Sequence, residues 1–510
     1  MNDLCPSDGS VPDRMNHHST ASWDLLHAFW TQAKLHPNVT AVEHNGLSTS
    51  YEELKNLAGR IASAIRESTS TSSPRVLLAL PPSAEAYAGM IGTLAAGGTF
   101  CPVNILGPHS RNATITSVFN PDVILFQRTA AAFLDQSPAT TPRIDVTKLG
   151  TNSIERPAND YSEIAYVIFT SGSTGEPKGV KIGRMGFSHF LVTAQSYFDL
   201  LPGERWGQFS NLGYDLAVMD VFLAITAGAT LVPLATKKDQ LFPASAIKEK
   251  SISIWQSVPS VIELMMRASQ VTTSYLSSLR IMSFCGEPLL PSYLDALFAA
   301  RPDLQVFNTY GATETVGFNT INRLSLKNYR QSCESRTVSL GEEVPGWSLS
   351  LRGGDSDDEG EIVVSSDFLS LGYFDDENRT RNAFRQMRTS DAEERRTYFT
   401  GDWGIRKNSR LYFSCRRDRQ VKIRGERIEL GEVDYILREA GFRSAHTIFL
   451  KNELYSFVES NDQIDEDLVR NYLVKRLPFH SVPKSIRAIP SLPKTNGKVD
   501  RAALEELVGG

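Results

Sequence analysis

Residues 166–180 read YVIFTSGSTGEPKGV, and no other stretch so restricts what the chain can fold into. The apolar run at 166–169 has the character of a buried strand. It leads straight into Thr170, Ser171, Gly172, Ser173, Thr174 and Gly175, and the loop closes on Pro177, Lys178 and Gly179. Glycines let backbone N–H groups come close to phosphate oxygens. The hydroxyls of Thr170, Ser171, Ser173 and Thr174 add donors, and Lys178 adds a positive charge. Such a loop suits a polyphosphate. It is not a Walker loop, because GxxxxGK[ST] is absent. A Ser/Gly run on its own is more often a solvated linker; the strand before this one and the Pro-Lys-Gly after it argue for a built site.

The surrounding pattern is that of alternating strands and helices. Residues 48–65 place Leu54, Leu57, Ile61 and Ile65 at spacings of three and four, which predicts an amphipathic helix. Short apolar runs at 76–80 and 121–126 predict buried strands, and small residues at 84–96 predict a tightly packed helix between them. This alternation implies βαβ units and largely parallel sheets as far as about residue 307. Past Gly360 it gives way to short strands at GEIVVSS and RLYFS, with a polar loop expected near 391–396. After Asp418 the chain turns basic and alternating, then helical. The expected architecture is α/β. A large N-terminal domain (1–417) of βαβ-built sheets carries a β-barrel-like subdomain, and a small mobile α+β domain (418–510) follows. Residues 1–20 are expected to be a flexible polar tail, in which the adjacent His17 and His18 are tail residues rather than a metal site.

With 510 residues the chain is long enough for roughly two to four folding units. A net charge of -5 carries none of the basic excess of a nucleic-acid binder. Cys5, Cys101, Cys285, Cys333 and Cys415 form no CxxC pair, which leaves zinc-ribbon and thioredoxin readings unsupported and favours free thiols in a reducing compartment. The first twenty residues lack the apolar stretch of a secretory signal, and no apolar run is long enough for a membrane span. A cytoplasmic location follows as the expectation.

Successive motifs then appear in a fixed order: YEELKNLA, LAAGGTFCPVN, the phosphate loop, NTYGATET at 308–315, GYF at 372–374, YFTGDWG at 398–404, RRDRQVKIRGERIELGEVD at 416–434 and LPKTNGKVDR at 492–501. In this order they resemble the adenylate-forming superfamily, from about residue 48 to residue 501. That superfamily includes the amino-acid adenylation domains of nonribosomal peptide synthetases, acyl-CoA synthetases and luciferases.

The resemblance implies ATP and Mg²⁺ as cofactors, and roles for particular residues. Tyr310 would stack on adenine, with Asn308 near the base edge and Gly286 beside the nucleotide. Thr313 would contact the α-phosphate and Glu314 would help hold Mg²⁺, each suiting its chemistry. Ala312 stands where the family usually has proline. Asp402 would accept from both ribose hydroxyls, and Arg416 would reach the ribose, although Cys415 stands where the family normally has glycine. Asp418 matches the hinge about which the small domain turns between an adenylating and a thioester-forming state. Lys498 matches the lysine that enters the site in the first state and bridges the substrate carboxylate and the α-phosphate. Gly425 would face the site in the second state and let a phosphopantetheine arm pass.

The same resemblance points to the substrate. Asp215, in GYDLAVMDVF, stands where amino-acid adenylation domains pair an aspartate with the α-ammonium; a helix N-cap is the plainer reading of the residue alone. Leu216, Met219, Gln256, Ser283, Cys285, Thr309, Gly317 and Phe318 would be further pocket positions. DLAVMD with SFCGEPL most resembles the D-alanine–carrier-protein ligases. Bulky Met219 and Phe318 suggest a short side chain, alanine first, with proline, glycine and serine open and chirality unspecified. The chain runs nine residues past Arg501 without a carrier segment, so a free-standing ligase acting on a separate carrier protein is expected. The alternatives are an acyl- or aryl-CoA synthetase of the same fold, against which Asp215 argues, and a non-catalytic homologue, against which the phosphate loop, Glu314 and Lys498 argue.

Overall fold

The computed structural model describes residues 25–509 except 131–132, 134–139, 154–160, 172–176, 335–336, 389–392, 417–418, 424–425 and 496–497; the side chains of residues 129, 495, 498, 502 and 509 also fall outside the description. The tail, Gly172, Ser173, Thr174, Gly175, Asp418 and Gly425 therefore lie outside the described residues.

Two sheets form the body of the large part. The first has nine strands, ordered Glu342–Glu343, Thr320–Leu324, Gln305–Tyr310, Ile281–Phe284, Ile254–Ser257, Arg205–Gln208, Thr230–Pro233, Thr40–His44 and Leu47–Ser50. Its interior pairs are parallel, and antiparallel strands close both edges. The second has six strands, with Arg75–Ala79 and Thr99–Pro102 at its centre and the antiparallel pair Ile164–Thr170 and Lys178–Gly183 at one edge. The central strands are apolar throughout because helices cover both faces. One continuous core joins the two sheets through the helices Tyr51–Ser68, Ala84–Ala95, Arg184–Phe198 and Asp215–Ala227. The first of these starts where the sequence predicts. Ser50 caps it in a capping box with Glu53, the serine hydroxyl accepting from the Glu53 N–H at 3.2 Å.

The third sheet corrects two expectations. Ser348–Gly353, Glu359–Ser365, Glu394–Lys407, Phe384–Arg388 and Arg410–Arg416 form an open five-stranded antiparallel sheet, and among the described residues no barrel closes. Residues 394–396, expected in a loop, belong to the longest of the described strands. Their charges are accommodated by neighbours: the Arg396 guanidinium lies 4.1 Å from the Phe384 ring.

The C-terminal part is α+β with its own core of Ile428, Val433, Leu437, Leu454, Leu473 and Ile486. Its hairpin Gln420–Ile423 and Glu426–Glu429 faces the large part. Arg111 Nη1 meets Glu432 Oε1 at 3.2 Å, and Ser110 Oγ donates to the Lys475 carbonyl at 3.0 Å. No described helix is long and apolar enough to cross a membrane.

Candidate active site

A cavity of about 900 Å³ opens at the carboxyl ends of the parallel strands Ile254–Ser257 and Ile281–Phe284 and beside the loop after Gln305–Tyr310. Ligands of open α/β sheets bind at such ends. The first turn of the helix Asp215–Ala227, the third sheet and the 420–427 hairpin supply the remaining walls.

One wall carries a carboxylate held by an aromatic hydroxyl and an arginine. Tyr310 ends its strand with its hydroxyl donating to Asp402 Oδ2 at 2.8 Å. Arg416 Nη1 donates to Asp402 Oδ1 at 2.6 Å, and its Nη2 donates to the Thr400 carbonyl at 3.0 Å. Strand register explains the meeting, since Asp402 pairs directly with Arg416 across the antiparallel ladder. Burial first, then the Asp402 charge, pushes the Tyr310 phenol well above its ordinary value, so it stays a donor. Asp402 and Arg416 line the cavity, while Tyr310 stands behind them.

The second wall carries Asp215, the first residue of its helix rather than the cap. Its Oδ1 accepts from the Leu216 N–H at 2.8 Å and its Oδ2 from Thr313 Oγ1 at 2.6 Å. Burial raises the Asp215 carboxyl above its ordinary value, and these two bonds pull it back. A cation arriving from the cavity would offset that desolvation. Leu216, Met219, Cys285, Gly286 and Gly317 share this wall. Gly317 has φ +77°, and a Cβ there would meet the Phe190 ring at 2.3 Å, so only glycine fits. Gln256, Ser283, Thr309 and Phe318 are buried and do not line the cavity; Phe318 packs edge-on against Phe190 and Phe198. Asn308 donates to the Ser339 carbonyl at 2.9 Å.

The third group is a buried ion cluster. Glu314 Oε1 accepts from Lys178 Nζ at 3.1 Å, from the Tyr373 hydroxyl at 2.9 Å and from Arg427 Nη1 at 3.0 Å. Burial works against this charge, and Arg427 and Lys178 outweigh it, holding the carboxyl well below the usual range. For Lys178, burial and then Arg427 bring the ammonium down to about 8 against the pull of Glu314. Arg427 lines the cavity, with Glu314 and Lys178 behind it. Ser171 Oγ donates to the Arg427 carbonyl, tying the phosphate-loop strand to the hairpin. Thr170 Oγ1, also on the cavity, is buried and has no hydrogen-bond partner among the described residues.

These residues fit a nucleoside triphosphate and its metal. Thr170 supplies an unsatisfied hydroxyl and Lys178 a cation, as phosphate oxygens require. No cluster of three or more metal-ligating side chains exists among the described residues, so a metal here would take Glu314 together with phosphate oxygens and water. That is the usual ligand set of Mg²⁺. Arg427, Tyr373, Arg111, Glu426 and His480 carry no role in the sequence reading. Tyr373 and Arg427 sit inside motifs quoted there, GYF and GER, but only the fold shows that they meet Glu314.

The fold and this cavity define an adenylate-forming enzyme. The AMP-binding enzyme family model matches residues 29–374, and the chain belongs to that family, whose members use ATP with Mg²⁺. Among curated relatives, the hybrid PKS-NRPS synthetase TAS1 of Gloeophyllum trabeum is 30 % identical over 94 % of this chain, which spans 31 % of that protein. The D-alanine--D-alanyl carrier protein ligase of Staphylococcus epidermidis is 27 % identical over 96 % of this chain and is covered over its full length. Among solved structures, the Vibrio cholerae adenylation domain AlmE, in complex with glycyl-adenosine-5'-phosphate, superposes with a TM-score of 0.82 at 24 % identity, covering 98 % of this chain and 99 % of that one. At that identity the likeness establishes the fold alone.

Proposed function

We propose that the chain activates a small amino acid with ATP, releases pyrophosphate, and transfers the aminoacyl group to the phosphopantetheine thiol of a separate carrier protein in the cytoplasm. The carrying observation is the buried Asp215 carboxylate facing the same cavity as Asp402 and Arg416. Asp402 and Arg416 take the ribose hydroxyls, with Tyr310 holding Asp402 from behind. Thr170 and Lys178 hold phosphate oxygens, and Lys498 bridges the substrate carboxylate and the α-phosphate as the carboxylate attacks the phosphorus. Asp215 takes the α-ammonium in a charge-assisted pair. Leu216, Met219 and Cys285 leave room for a short side chain, with alanine favoured. The name of the staphylococcal ligase supports a small amino acid. Cys101, Cys285, Cys333 and Cys415, all free, support a reducing compartment.

Amino-acid-dependent pyrophosphate exchange tests this reading. Both enantiomers of alanine, glycine, serine, proline, several larger amino acids, propionate and benzoate form the panel. Small amino acids are expected to support exchange and the simple acids are not. Faster exchange with propionate or benzoate would favour the CoA-synthetase alternative. Asp215→Ala is expected to raise the amino-acid KM about 10- to 100-fold, the ~1.5–3 kcal/mol of a hydrogen bond to a charged group, with the ATP KM unmoved. Asp402→Asn is expected to show the opposite split, raising the ATP KM about 10-fold or more by loss of a charged acceptor.

A further inference from the structure

The turn Phe479–Ser481 brings His480 to the wall of the cavity, on the side of the C-terminal part. His480 Nε2 lies 3.8 Å from Glu426 Oε1, and both side chains line the cavity. Glu426 immediately precedes Arg427, the residue bound to Glu314. Burial raises the Glu426 carboxyl above its ordinary value, and the hydroxyl of Tyr214, from the large part, and then the Arg111 charge work against that rise. Tyr214 in turn immediately precedes Asp215. The His480–Glu426 pair is thus one residue in sequence from the phosphate-side cluster on one strand, and one contact from the amino-acid wall on the other.

A second, smaller cavity of about 350 Å³ adjoins the first, and the two share Ile423, Asn452, Glu453 and His480. Phe479 and Val474, which also line it, are exposed to solvent. His480 therefore stands in the partition between the inner cavity and an outward-facing groove.

Thioester formation needs a thiolate. A thiol with an ordinary pKa of about 8.5 is only about 3 % ionised at pH 7. Among the charged side chains that share the walls of these two cavities with His480, Lys422, Arg111, Arg470 and Lys484 are cations and Glu426 and Glu453 are carboxylates. The four cations among them attract anions but do not accept protons. An imidazole is the proton acceptor matched to neutral pH. A carboxylate beside it orients the ring and stabilises the imidazolium.

We propose that His480, oriented by Glu426, is the general base of the thioester step. This rests on the carrier-transfer reading above. The thiol proton passes to the imidazole as sulfur attacks the aminoacyl carbonyl carbon. A C–S bond forms, the bond from that carbon to the phosphate oxygen breaks, and AMP leaves as its phosphate anion. The imidazolium then returns its proton to water.

The test compares His480→Gln with wild type in the full chain, using ATP, free pantetheine and the amino acid that gives the fastest exchange in the panel above. Exchange is expected within about twofold of wild type, because adenylation involves no thiol. Single-turnover formation of aminoacyl-pantetheine is expected to slow about 100-fold at pH 7, the scale of general-base catalysis. The deficit is expected to close near pH 9.5, where the thiol ionises unaided. Glu426→Gln is expected to move the pH midpoint of transfer downward, because the ring loses the carboxylate that favours its protonated form. Transfer by His480→Gln within about threefold of wild type at pH 7 overturns the proposal, as does a deficit that persists unchanged to pH 9.5. Exchange by wild type with no aminoacyl-pantetheine formed removes the thioester step and the proposal with it. No exchange with any amino acid removes the adenylation reading itself.

Discussion

Lys498→Ala is expected to lower amino-acid-dependent pyrophosphate exchange by about 10³-fold, the scale on which one preorganised charge stabilises a transition state. Folding is expected to survive. Lys498 opens the strand Lys498–Val499, whose backbone pairs with Lys494–Thr495. Leu492 and Leu504 pack with Ile448 and Phe457, and Val499 lies against them. Alanine keeps the backbone pairing of the strand. In the present arrangement the C-terminal residues lining the cavity come from 420–427, 449–453 and 478–481, and none of the described residues beyond Ser481 reaches it. We propose, as the family resemblance implies, that Lys498 serves adenylation after the C-terminal part has turned. The same turn would withdraw Arg427 from Glu314 and leave that carboxylate open to a metal. Transfer from chemically made aminoacyl-AMP to pantetheine is therefore expected to be unchanged in this variant. Exchange above about a tenth of wild type would sink the assignment of Lys498.

What the sequence made legible follows from where the information is local. Helix periodicity and apolar runs are local, and the helix Tyr51–Ser68 and the strands Arg75–Ala79, Val123–Phe126 and Ile164–Thr170 lie where they are expected. Closure of a sheet is not local. Alternating strands past Gly360 are equally compatible with a barrel and with an open sheet, and only the pairing of Glu394–Lys407 with three partners decides it. The charged residues near 394–396 read as a loop because their partners, Phe384 and the Ser370 carbonyl, are supplied by other segments.

The site divides in the same way. Asp402, Arg416, Asp215, Thr313 and Glu314 were named from motif resemblance and Lys178 from the chemistry of its loop, and the fold brings the first two together, the next two together and the last two together. Arg427 stayed without a role because its partner is 113 residues away in the chain. A hint was present: RQVKIRGERIEL places Arg427 two residues after Gly425, beside the apolar Ile428. The pocket residues divide by strand geometry. Cys285 lies past the end of Ile281–Phe284 and reaches the cavity, whereas Ser283 and Gln256 lie within their strands and stay buried.

Glu314→Gln is expected to reduce stability and adenylation together, and the pH dependence separates the causes. Glutamine keeps the shape of the side chain and removes its charge. Lys178 and Arg427, 3.1 Å and 3.0 Å from the same oxygen, then face each other with only the more distant Glu429 charge to offset them. Removing one partner of a buried ion pair costs about 3–5 kcal/mol. Lys178 has a partial escape. Its pKa, already down to about 8 through burial and Arg427, falls further once Glu314 no longer supports the charge. Stability rises with pH wherever the unfolded chain binds more protons than the native one. For a lysine with a depressed native pKa, that range begins at the native value and ends at the unfolded one. The variant enters it at lower pH than wild type, which enters it near pH 8. The stability deficit is therefore expected to narrow as pH climbs toward 8, then hold constant. Denaturant unfolding of both proteins across that range measures it. Exchange is expected to fall about 10²- to 10³-fold and not to recover with pH, because neutralising Lys178 restores neither a metal ligand nor the charge that holds phosphate. A deficit under about 1 kcal/mol at pH 7 would mean that the cluster is already solvated, and that Arg427 is not what holds the hairpin to the large part.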